Sequence, residues 1–121
     1  MPHRPSVVEP GVLQLAEHAA ETVRDLNHLT RGQHAFAEPA ELARLLAELT
    51  TMASGLPQLL GQLDRWLRHE HHAGRVRADS DTDPDHILSR AAAQLTCGRH
   101  AAHDLAAALD TAHQHLAQLA R

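Results

Sequence analysis

The chain has 121 residues, enough for one domain whose core needs neither a disulfide nor a structural metal, and its single cysteine, Cys97, excludes an internal disulfide. Eleven basic residues, all Arg, stand against fifteen acidic ones for a net charge of -4, which argues against a protein that coats nucleic acid through bulk charge. Trp66 and Phe36 are the only aromatic residues, and the apolar content is mostly Leu and Ala, a composition that favours helices over strands.

Residues 1–9 read as an extended arm, because Pro2 and Pro5 bias their neighbours away from helix and little but Val7 and Val8 is apolar. A first helix is expected over 10–30, starting at Pro10 and stopping before Gly32. Its stripe is Val12, Leu15, Ala16, Ala19, Val23, Leu26 and Leu29. The link that follows is polar except for Phe36, which is expected to plug the end of a bundle.

A second helix is expected over 39–73, with Pro39 in the first turn and Glu38 and Glu41 at the positive end of its dipole. The expected seam is Leu42, Leu45, Leu49, Met52, Leu56, Leu59, Leu63 and Trp66, with a second line, Leu46, Ala53, Leu60 and Leu67, beside it. Gly55-Leu56-Pro57 would break a helix by local rules, but the register runs through it without a slip, which predicts one helix, kinked at Pro57, rather than two. After a polar turn at about 73–83, Asp83 is placed as an N-cap and Pro84 as the first residue of a third helix expected over 84–121. Its two lines are Leu88, Leu95, Ala102, Leu109 and Leu116, then Ala91, Gly98, Leu105, Ala112 and Leu119.

The expected fold is therefore all-α: a three-helix up-down-up bundle, a single helical domain over 10–121, with a long helix 2–3 hairpin packed like a coiled coil. Helix 1 is about 20 Å too short to cover the turn end of that hairpin. Leu60, Leu63, Trp66, Leu67, Ile87 and Leu88 are left as a candidate interface, with Trp66 as its anchor and a second copy as the simplest occupant.

Other constellations carry chemistry at the right spacing. Cys97, His100 and Asp104 stand at i, i+3 and i+7, so that thiolate, imidazole and carboxylate would share one face of helix 3 as candidate ligands for a zinc-like ion. The run from Ala102 through His103, Asp104 and Leu105 to Leu109 resembles the phosphoacceptor box of two-component histidine kinases. That resemblance implies a phosphorylated His103 with Asp104 as its acid/base neighbour, although Ala106, Ala107 and Ala108 replace that family's basic residue and Pro. Near the end of helix 2, His69, His71 and His72 gather with Arg65, Arg68, Arg75 and Arg77 beside a run of Asp, where the charges largely cancel.

The helical hairpin is similar to the small secreted Trp-X-Gly hairpins of actinobacteria, but its turn has no Trp and Trp66 has no following Gly. More broadly, the chain, with its Gly-Leu-Pro-Gln-Leu-Leu stretch at 55–60, resembles small helical proteins of GC-rich actinobacteria, a likeness that implies no activity. There is no Gly-rich phosphate loop, no His-Glu-x-x-His, and no Ser or Cys nucleophile with a base beside it. The resulting expectation is a non-enzymatic adaptor or regulatory subunit without a cofactor. It would act on protein through helix-on-helix contact, as a homodimer in the cytoplasm, and bind neither nucleic acid nor membrane. The alternative is a His-centred protein on helix 3, either a metal-dependent sensor or a phosphotransfer module.

Overall fold

The computed structural model describes residues 9–79 and 82–119, so the expected arm over 1–9 lies outside the described residues except for Glu9. Three α-helices follow in order: α1 (Val12–Leu29), α2 (Pro39–His72) and α3 (Pro84–Leu116). The all-α class and the long α2–α3 hairpin are as the sequence predicts, and no strand occurs among the described residues. The single domain expected over 10–121 divides into two compact units, one ending at Ala37 and the other beginning at Glu38.

In the first unit, α1 is capped by Gly11, whose N–H donates to Gln14 Oε1 at 3.1 Å. It ends at Leu29 with Thr30 as its C-cap, before Gly32 as expected: the Thr30 hydroxyl donates to the Leu26 carbonyl at 2.7 Å, and the Thr30 N–H turns to the same carbonyl. A lone helix has nothing of its own to bury an apolar stripe against, and no residue of α1 is buried. Phe36 is half-buried.

In the second unit, α2 is one continuous helix of 34 residues that carries Pro57 in its interior, as the unbroken register predicts. Proline there removes the N–H that would have bonded the Ala53 carbonyl, a loss of about 3 kcal/mol that packing against α3 must offset. The C-terminus of α2 closes in a Schellman turn. Gly74 adopts φ +75°, its N–H donates to the His71 carbonyl, and the Arg75 N–H reaches back to the Glu70 carbonyl, each at 3.0 Å. The Arg75 guanidinium then grips the Glu70 carboxylate with both Nε and an Nη, which fastens the turn from outside. At the start of α3, Asp83 Oδ1 accepts from the Asp85 N–H at 3.0 Å with Pro84 beside it, the expected cap. The third helix stops at Leu116, short of the expected 121. The Ala117 N–H still bonds back to the His113 carbonyl, but Leu119 beyond it is exposed and buries nothing that would reward another turn.

The hairpin seam is a correction. On α2 it runs through Leu46, Thr50, Ala53, Pro57, Leu60, Asp64, Leu67 and His71, all buried or half-buried at alternating four- and three-residue steps. The expected second line is thus the true centre, and half of the expected seam, Met52, Leu59, Leu63 and Trp66, faces outward. Small residues decide the register. Ala53 and Ala102 are the most buried, at 3% and 7% exposure, Leu60 packs on Gly98, and the Arg99 guanidinium lies over Gly61. A β-carbon on Gly98 would stand 3.4 Å from Leu60 Cδ1, so the two helices approach where side chains are smallest. Thr50 is tolerated in the seam because its hydroxyl donates to the Leu46 carbonyl at 2.8 Å. On α3 the expected line Leu88, Leu95, Ala102, Leu109 and Leu116 does lie inside, whereas Leu105 and Leu119 of the second line are exposed.

Candidate functional site: the apolar flank of the hairpin

Because the seam uses only the middle of a wide apolar face on α2, the remainder lies along one flank. The opposite flank is polar. There Thr50, Ser54 and Pro57 share a shallow notch with His103, Ala106 and Asp110, and Arg68 and His71 share another with Asp85, Ser89 and Thr96. Those pairings fix which sides of the two helices meet on that flank. By the seven-residue repeat, Met52, Leu59, Leu63 and Trp66 of α2 and Ile87, Gly98 and Leu105 of α3 must line the other. Trp66 is 63% exposed and Leu63 45%, values far from the interior of a packed hairpin.

Of the six residues expected to form an interface, Leu63, Trp66 and Ile87 are exposed on this flank. Leu60, Leu67 and Leu88 are half-buried in the hairpin seam, where their main contacts are intramolecular. Sequence reasoning missed Met52, Leu59 and Leu105, which extend the apolar surface well beyond the turn end. Their spacing was visible, but assigning the α2 seam one line over hid their exposure.

The histidine and carboxylate constellations are held apart. Cys97, His100 and Asp104 lie exposed on the outer side of α3, and no three His, Cys, Asp or Glu side chains among the described residues converge to hold a metal ion. His103 is exposed, in the polar notch that Pro57 and Asp110 also line.

At the turn end the charges pair off. His71 Nε2 lies 2.7 Å from Asp85 Oδ1, bridging the last turn of α2 to the first turn of α3, and Arg68 Nε lies 3.1 Å from Asp64 Oδ2 within α2. Asp64 occupies a seam position with its side chain only 14% exposed, and its Oδ1 has no hydrogen-bond partner. The hydrogen bond from Arg75 holds the Glu70 carboxyl below its ordinary range and correspondingly raises the guanidinium.

No helix among the described residues is long and apolar enough to cross a membrane. No protein-family model, curated protein or solved structure matches the chain. The apolar flank is therefore the feature from which a function has to be argued.

Proposed function

We propose that this chain is a non-enzymatic helical interaction protein, an adaptor or regulatory subunit in the cytoplasm, that acts through helix-on-helix contact and pairs with a second copy of itself. The observation that carries this reading is the exposure of Met52, Leu59, Leu63 and Trp66 along one helix, with Ile87 and Leu105 on its hairpin mate. Small soluble proteins seldom leave so long an apolar line in water, because each such side chain loses about 1.5–3 kcal/mol of available burial. Two hairpins meeting through these flanks would make a four-helix bundle, a packing in which every exposed Leu gains a facing groove.

Light scattering at micromolar concentration tests the reading. A dimer is expected for the wild type, and a folded monomer for Trp66→Ala or Leu63→Asp, since a large aromatic at the centre of such a patch contributes about 2 kcal/mol or more to binding. A wild-type monomer, or a dimer indifferent to both substitutions, would overturn it.

A further inference from the structure

The exposed residues of the flank are arranged symmetrically about one point on each helix, and that arrangement selects a geometry. On α2 the exposed line Met52, Leu59 and Trp66 centres on Leu59, and the parallel pair Leu56 and Leu63 centres between Leu59 and Leu60. On α3 the exposed large apolar residues Ile87 and Leu105 centre on Thr96.

Among the polar residues that border the flank, beyond Glu41 near the start of α2, two pairs share these centres. By the seven-residue repeat, Glu48 and His69 stand on one line at the α2 rim, and their midpoint falls between Gln58 and Leu59. Arg90 and Asp104 stand on one line at the α3 rim, with Cys97 midway. All four are exposed. Within the hairpin, Leu60 packs on Gly98 and Gly61 faces Arg99, so the two centres lie within about one helical turn of the same height.

We infer that the second copy docks antiparallel on this flank, about a twofold axis at the level of Leu59 and Cys97. This inference rests on the self-association proposed above and adds its direction and register. Rotation about such an axis brings Glu48 against His69 of the partner subunit, whose imidazole N–H can donate to the carboxylate, and Asp104 against Arg90 of the partner subunit, so that opposite charges meet twice per dimer. It also sets Trp66 against Met52 of the partner subunit, pairing the largest ring with the most adaptable side chain on the flank. A parallel twofold dimer would instead set α2 against α3 of the partner subunit and hold Asp104 away from Arg90, toward the end where Glu48 stands, so the opposite charges would not meet.

Spin labels on single cysteines, introduced in a Cys97→Ser background, report the geometry. In the antiparallel dimer, labels at Glu48→Cys lie about 30 Å apart along the bundle, whereas labels at Gln62→Cys lie within about 10 Å of each other along it. A mixture of Glu48→Cys and His69→Cys proteins gains a short distance that neither protein shows alone. Equal distances at Glu48→Cys and Gln62→Cys, with both pairs level across the bundle, would mean a parallel dimer and would overturn the inference while leaving self-association intact. A long distance at Gln62→Cys in a protein that scatters as a dimer would overturn the register. A monomer by light scattering, with no dipolar coupling at any site, would overturn both this inference and the reading on which it rests. In the antiparallel geometry, Glu48→Arg weakens the dimer roughly tenfold, and adding His69→Glu restores it, because each reversal recurs twice across the axis.

Discussion

The two flanks of the hairpin are built from the same helices and differ in what they leave unfinished. Along the polar flank, the Thr50 and Thr96 hydroxyls bond carbonyls of their own helices, His71 meets Asp85 and Arg68 meets Asp64, and the notches there are shallow. Along the other, Met52, Leu59, Leu63, Trp66, Ile87 and Leu105 are apolar and exposed. Between them runs a seam of small residues, narrow enough that two long helices can pack closely while most of the Leu content of α2 sits to one side. The difference teaches that a wide apolar face is not one surface: its narrowest strip holds the hairpin together, and its larger side chains remain available.

The largest effect is expected at the seam. Ala102→Leu forces extra carbons into the closest approach of the helices and should destabilise the hairpin by about 1–3 kcal/mol in chemical denaturation. A change below about 0.5 kcal/mol would mean that the seam lies elsewhere. Next comes the contrast between flanks. Leu59→Asp should weaken self-association at least tenfold with helical content intact, whereas Thr96→Asp on the polar flank should leave the oligomer unchanged, so equal effects from the two would erase the distinction between them.

Much of the architecture was legible in the sequence because it rests on local chemistry. Asp83 before Pro84 caps α3, and the register running through Pro57 foretold a single helix. The seam of α2 was not legible, and the reason is physical. Its inner line includes Thr50, Pro57, Asp64 and His71, residues that a hydrophobicity pattern assigns to the surface, while the stronger Leu pattern lies beside it. What selects the inner line is the meeting of Ala53, Gly61, Gly98 and Ala102 between two helices, a pairing that one helix's periodicity does not contain. The candidate interface was half legible for the same reason: Leu63, Trp66 and Ile87 are exposed, whereas Leu60, Leu67 and Leu88 belong to the seam.

Smaller effects sharpen the account of the turn end, which neither flank owns. Asp83→Ala removes the cap of α3 and should cost about 1 kcal/mol without changing the oligomer. The Glu70–Arg75 contact should respond to pH with a definite sign. Because Arg75 lowers the Glu70 carboxyl from its ordinary value of 4.5, the contact contributes fully above that pH and is lost as the pH falls through the lowered folded-state value. A small acid-side loss of stability should therefore be present in the wild type and absent in Glu70→Gln, and an identical pH profile for the two proteins would remove this contact from the account.

Trp66 is the only tryptophan in the chain and stands 63% exposed on the proposed interface, so its fluorescence reports the central claim without labelling. Measured over a dilution series from high micromolar to nanomolar concentration, the emission should begin blue-shifted, where a second copy covers the ring, and move to the red as the pair dissociates, with a midpoint that matches the light-scattering transition. Emission that stays at the water-exposed wavelength at every concentration would contradict the claim that this flank is where the protein meets its partner.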